Sequence, residues 1–147
     1  MGPRQAHWTR TESINFALVL FVRKGMKKEK KTLVLGATDK PTRYAFKAVQ
    51  KLLAAGHEVV PVGHRAGAVA GIPIQTEAPT LPDIDTVTLY LNPQRQRAYY
   101  DYLIALRPQR IIFNPGTVNP ELMTLAREAG IETEVACTLV MLATDQY

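Results

Sequence analysis

The segment Gly36-Ala37-Thr38-Asp39-Lys40-Pro41-Thr42-Arg43-Tyr44 concentrates the residue types that hold anions. It follows a short apolar run and precedes a segment of helical period. A loop leading into a helix presents N–H groups that no helical carbonyl can take, with the positive end of the helix dipole beside them. Phosphate suits that environment. Gly36 permits a tight turn, Thr38 adds a hydroxyl donor, and Lys40 and Arg43 add charge. The same nine residues also read as an ordinary strand-to-helix turn with Thr42 as N-cap, and both readings stay open. Two familiar phosphate-binding patterns are absent. Counted from Gly36, the second and third glycine positions of G-x-G-x-x-G hold Thr38 and Pro41, and no G-x-x-x-x-G-K-[ST] occurs.

Three further apolar runs end in small polar residues. One ends at Val62-Gly63-His64-Arg65. Folds that bind NAD place an Asp or Glu there for the ribose hydroxyls. This chain has no acid at that point, and His64 and Arg65 suit a phosphorylated ribose; Arg65 taken singly also reads as a solvated loop cation. The others end at Leu91-Asn92-Pro93 and Asn114-Pro115-Gly116, each a small polar group beside a turn-former. Catalytic groups are sparse. The histidines are His7, His57 and His64, and His57 reads as a surface or packing residue. Cys137 has no histidine near it in sequence and reads as a structural thiol. A single cysteine excludes an intramolecular disulfide and a zinc site built on several thiolates, and it fits a cytoplasmic location. No H-E-x-x-H, G-x-S-x-G or carboxylate cluster occurs.

Positioning these residues requires short strands alternating with helices. Thr32–Leu35, Glu58–Val62, Thr86–Leu91, Ile111–Phe113 and Ile131–Ala136 read as strands. Between them, Tyr44, Ala45, Ala48, Val49, Leu52 and Leu53 recur at helical period. Pro93 opens a second helix with Ala98, Tyr102, Ala105 and Leu106 on one face, and Pro120 opens a third with Leu122, Leu125, Ala126 and Ala129 inward. Gly63 to Pro82 holds at most a short extended piece at Ile72–Ile74. The pattern predicts an α/β, three-layer, Rossmann-like doubly wound parallel sheet of about five strands. Ligands then bind outside the carboxyl ends of the strands, where the strand order reverses.

The chain has 147 residues, enough for one domain with a sizeable core. Its net charge of +5 is uneven: residues 1–31 hold eight Lys and Arg against two Glu, a net +6, which leaves −1 for the rest. The body therefore offers no basic face for nucleic acid. The apolar run at 14–22 is too short to span a bilayer. Residues 1–25 read as an extension ahead of a natural start at Met26 rather than as a targeting or membrane-surface segment, which places the domain at 26–147.

Taken in order, the strand-end residues resemble those of the small stand-alone CoA-binding proteins, which look like the CoA-binding domain of the succinyl-CoA synthetase alpha subunit. The resemblance rests on Gly36-Ala37-Thr38, Val60-Pro61-Val62, Ile84-Asp85-Thr86-Val87, Asn114-Pro115-Gly116 and Ala129-Gly130-Ile131 with Cys137. Gly63-His64 stands where many members have Asn-Pro, and Val135-Ala136 where Asp-Arg is usual. The resemblance implies a CoA or acyl-CoA binding protein without its own catalytic apparatus, its small-molecule nucleotide held by Gly36, Ala37, Thr38, Lys40, Arg43, Gly63, His64, Arg65, Asn92, Asn114 and Gly116. The pyrophosphate is expected on Gly36-Ala37-Thr38, with Arg65 beside the 3′-phosphate. A branched side chain at Gly36 is expected to block phosphate while sparing the fold. The alternative is an NAD(P)-binding Rossmann protein acting as a redox sensor or small oxidoreductase. No membrane partner is expected; a protein partner or homo-oligomer is left open.

Overall fold

Thr32-Leu33-Val34-Leu35 forms β1, and all four residues are buried. A strand with no exposed face must be covered on both sides, which is the situation of a central parallel strand. The computed structural model describes residues 28–147. The expected extension at 1–25 lies outside the described residues. After β1 the order is α1 (Tyr44–Ala54), β2 (Val59–Val62), β3 (Ala68–Val69), β4 (Ile72–Pro73), β5 (Thr86–Leu89), α2 (Pro93–Gln96), a 3₁₀ turn (Arg97–Tyr99), α3 (Tyr100–Leu106), β6 (Arg110–Phe113), α4 (Pro120–Glu128), β7 (Glu132–Val135) and α5 (Thr138–Ala143).

The five longer strands form one sheet in the order β2-β1-β5-β6-β7, and every pairing is parallel. The register sets Leu35 beside Val62 and Leu89, and Phe113 beside Leu89 and Val135. All five carboxyl ends are thus level along one rim. The chain winds outward from β1 to β2, then crosses to β5 and winds the other way, so the order reverses between β1 and β5. On one face Leu33, Leu35, Val87, Leu89, Ile111 and Phe113 pack with Leu103 of α3 and Leu122 and Ala126 of α4. On the other, Val34, Val59 and Ile112 pack with Ala45, Val49 and Leu52 of α1 and Met141 of α5. The expected three-layer architecture is present, and among the described residues no helix is long and apolar enough to cross a membrane.

Several local expectations are corrected. The helix after the third strand is not continuous: the 3₁₀ turn has a tighter period and rotates the phase of the helix beyond it. Leu103 becomes the fully buried residue, while Ala98 and Ala105 are exposed. In α4, Leu122 and Ala126 are buried but Leu125 faces outward. The Gly63–Pro82 stretch contains a two-residue hairpin, β3–β4, and Gln75 pairs in parallel with Val62 on the outer edge of β2. The helix α5, after Cys137, has no counterpart in the sequence reading.

The opposite end of the sheet is closed by side chains from distant segments. Arg110, the first residue of β6, is buried; its Nε donates to Thr86 Oγ1 at 2.9 Å, Nη1 to Glu134 Oε1 at 3.0 Å and Nη2 to the Tyr147 carbonyl at 3.0 Å. Lys30 Nζ donates to that carbonyl as well. The Tyr147 hydroxyl meets Thr32 Oγ1 at 2.6 Å, and its ring lies 4.9 Å from the buried imidazole of His57. His57 Nδ1 accepts the Lys30 N–H at 2.9 Å, so the neutral ring carries its proton on Nε2.

Burial holds the His57 pKa below its ordinary value, and the nearby cations Lys30 and Arg110 lower it further. The unfolded chain takes up this proton near pH 6.5 and the folded chain only at lower pH. The stability due to neutral His57 is therefore complete above about pH 6.5 and is lost as pH falls below it. We expect urea midpoints to drop between pH 7 and pH 5, and His57→Gln to flatten that drop. An unchanged pH profile in the variant would contradict this.

Candidate functional site: a cationic cleft at the strand ends

Val62 O, at the carboxyl end of β2, accepts the N–H of Gly36 at 2.8 Å and of Ala37 at 2.9 Å. These two amides are thus spent inside the protein, which corrects the expectation that they face a phosphate. Gly36 has φ +99°, and a Cβ there would lie 2.9 Å from the Tyr90 carbonyl carbon. A branched substitution at Gly36 therefore strains the fold itself, contrary to the sequence expectation. Gly63 is buried, and a Cβ on it would lie 2.2 Å from the Ala37 carbonyl oxygen. It lets the loops after β1 and β2 touch, and it does not line the cleft.

The loop then runs to α1. Thr38 Oγ1 accepts the Lys40 N–H at 3.2 Å. The N-cap is Arg43, not Thr42, and no side chain caps the helix. Tyr44 and Ala45, whose N–H groups have no partner within the helix, both line the cleft. The open donors of this loop thus lie one turn later than expected. Tyr44 also departs from its periodic assignment to the core: it is 70% exposed.

The other wall is built from the loops after β5 and β6. Asn92 caps α2, its Oδ1 accepting the Arg95 N–H at 2.9 Å. Gln96, fully buried, donates from Nε2 to Leu91 O and Thr117 O, both at 2.8 Å, and its Oε1 accepts from Asn119 Nδ2 at 2.9 Å. One amide therefore clamps the two loops together. Asn114 is buried beneath them. Its Nδ2 donates to Thr88 Oγ1 at 2.7 Å and Leu89 O at 2.8 Å, and its Oδ1 accepts the Thr138 N–H at 2.8 Å. With its polar atoms so engaged, Asn114 supports the cleft without lining it, which corrects its assignment as a ligand contact.

Between these walls lies a cleft of about 870 Å³, at the reversal between β1 and β5. Nine of the eleven residues expected from sequence line it: Gly36, Ala37, Thr38, Lys40, Arg43, His64, Arg65, Asn92 and Gly116. Sequence reasoning missed Tyr44, Tyr90, Arg95 and Thr117 as lining residues. Arg95 lies in α2, six residues past the end of β5 at Leu89, on a helix that the sequence reading treated only as packing. The described residues form three ion pairs, Lys31–Glu58, Arg97–Glu121 and Arg110–Glu134, and none lies in the cleft. Lys40, Arg43, Arg65 and Arg95 converge there against one carboxylate, Asp39. Cys137, half-buried, is not among the lining residues.

The sequence profile of the CoA binding domain matches residues 30–143. The chain belongs to the CoA-binding domain family. Among solved structures, it is similar to an uncharacterised protein at 49% identity and TM-score 0.81, covering 82% of this chain and all of that one. A hypothetical protein from Pyrococcus horikoshii OT3 matches at 28% identity and TM-score 0.72, covering 85% and 89% of the two chains. A dinucleotide-forming acetyl-coenzyme A synthetase from Ca. Korarchaeum cryptofilum, in complex with phosphate and ADP, shares the fold at 16% identity and TM-score 0.59; the match covers 71% of this chain and 25% of that one.

In this CoA-binding domain the cleft floor includes one oddity. Among the described residues, the Tyr90 hydroxyl is the buried side-chain group without a hydrogen-bond partner. Burial pushes its pKa up to about 12. The nearby Thr88 and Thr138 hydroxyls oppose that shift, but they meet each other at 2.7 Å. An unpaired buried hydroxyl costs about 1–3 kcal/mol. We expect Tyr90→Phe to leave the fold intact and raise unfolding stability by about 1 kcal/mol in urea titration; a loss of that size would show that the hydroxyl is paired. Gly63→Ala should lower stability by about 1–3 kcal/mol in the same assay, because backbone and not a flexible side chain blocks the added methyl. A neutral effect would mean that the two loops separate easily.

Proposed function

We propose that this cleft binds coenzyme A or an acyl-CoA, and that the chain contributes binding rather than catalysis of its own. The observation that carries the reading is the convergence of Lys40, Arg43, Arg65 and Arg95 on one cleft with Asp39 as the single opposing carboxylate. Unpaired like charges held close together repel, and a polyanion relieves that repulsion. Coenzyme A supplies it with a pyrophosphate and a 3′-phosphate. In this reading the pyrophosphate lies against Thr38 and the first turn of α1, where uncapped N–H groups and the helix dipole favour it. Lys40 and Arg43 flank it, Arg65 with His64 takes the 3′-phosphate, and Asn92 and Gly116 border the far wall. Membership of the CoA-binding domain family supports the same ligand.

NAD is the weaker candidate. Its ribose hydroxyls need an acid after β2, and the residues there that line the cleft are His64, Arg65 and Ala66.

Thermal-shift and calorimetric titration with CoA, dephospho-CoA, acetyl-CoA, NAD, NADP and ATP tests the proposal. Ligand at about 100 times its Kd stabilises the chain by about 2.7 kcal/mol. We expect CoA and acetyl-CoA to give the largest shifts. Arg65→Ala should weaken CoA by about 1.5–3 kcal/mol and leave dephospho-CoA nearly unchanged. Equal losses for both would remove Arg65 from the 3′-phosphate, and tight NAD binding without CoA binding would overturn the proposal.

A further inference from the structure

Two tyrosines line the cleft, Tyr44 and Tyr90. They are placed very differently. Tyr90 packs against the core on the α1 face of the sheet and buries its hydroxyl. Tyr44 is 70% exposed at the first position of α1, and Lys47 Nζ lies 5.7 Å from its ring centroid. Its neighbour Ala45 takes the buried position that helical period offers. The Tyr44 ring therefore adds nothing to the core and stands in water beside the cationic loop.

We propose that Tyr44 is the stacking platform for the adenine base of the bound nucleotide, an inference that rests on the CoA reading above. In coenzyme A one ribose carries the adenine, the 3′-phosphate and the 5′-pyrophosphate. The base therefore lies one sugar away from both phosphate positions. With the pyrophosphate at the first turn of α1 and the 3′-phosphate at Arg65, the ribose falls beside the residue that opens α1. That residue is Tyr44, and its ring is the exposed phenol face among the cleft residues, Tyr90 being packed into the core. Stacking on an aromatic ring needs only a π-face, so it adds affinity for the base without a hydrogen-bond code. The ammonium of Lys47 by the ring adds positive charge beside the same position.

The test is calorimetric titration of the full chain with CoA and with 4′-phosphopantetheine, which lacks the adenosine together with its 3′- and 5′-phosphates. Tyr44→Ala should weaken CoA by about 5-fold to 150-fold, the ratio that corresponds to loss of one base–aromatic stack. Tyr44→Phe, which keeps the π-face, should stay within about threefold of the parent chain. The affinity for 4′-phosphopantetheine should be the same in the parent and in Tyr44→Ala, and melting temperatures should match because the side chain is exposed. A CoA affinity unchanged in Tyr44→Ala, or equal losses for CoA and 4′-phosphopantetheine, overturns this inference and leaves the CoA reading standing. Failure of the parent chain to bind CoA overturns both.

Discussion

A single carbonyl, Val62 O, organises the rim of the cleft. By accepting the N–H groups of both Gly36 and Ala37 it ties the exit of β1 to the end of β2. Gly63 comes directly after Val62 and has no Cβ to keep the Ala37 carbonyl away. The two loops thereby become one rigid edge from which Thr38 leads into α1. The helix start is placed beside the reversal point of the sheet, and its uncapped end faces the cleft. The dipole is available because no side chain quenches it, and Arg43, occupying the N-cap, has no acceptor with which to do so.

Much of this was legible in the sequence. Strands buried on both faces favour apolar and β-branched residues, and Thr32–Leu35, Val59–Val62 and Thr86–Leu89 consist of Leu, Val and Thr with one Pro. The rule that ligands gather at the carboxyl ends of the strands then selected nine cleft residues from four loops. What period alone did not convey was tertiary. Asn114 has the composition of a ligand contact, but its amide is consumed by Thr88, Leu89 and Thr138, partners 24 to 26 residues away. Gln96 carries no local signal at all, because its role is set by two carbonyls on separate loops. Tyr44 fits the apolar face of α1 by spacing, yet the first residue of a helix often overhangs the core, and Ala45 fills the space instead. The 3₁₀ turn at Arg97–Tyr99 shifted the phase of the next helix in a way that a 3.6-residue template cannot register.

The distribution of charge separates the two ends of the sheet. At the strand-start end, Arg110 is enclosed by an acid, a hydroxyl and a carbonyl, and its charge is neutralised where it stands. At the strand-end rim the cations have no such partners among the described ion pairs. Their field therefore extends into solvent over roughly a Debye length, about 8 Å at physiological salt. An approaching anion is drawn toward the rim before it makes contact, and added salt weakens that attraction.

The two margins of the sheet also differ, with a consequence for self-association. An unprotected strand edge is a template for a neighbouring chain. At β2, Pro61 lacks an N–H, and Gln75 crosses alongside, donating to the Pro61 carbonyl and accepting from Gly63 N–H, both at 3.0 Å. At the other margin β7 is only four residues long and carries Glu132 and Glu134. One border is occupied by the chain's own loop and the other is short and acidic, so the sheet resists growing by addition of strands from another molecule.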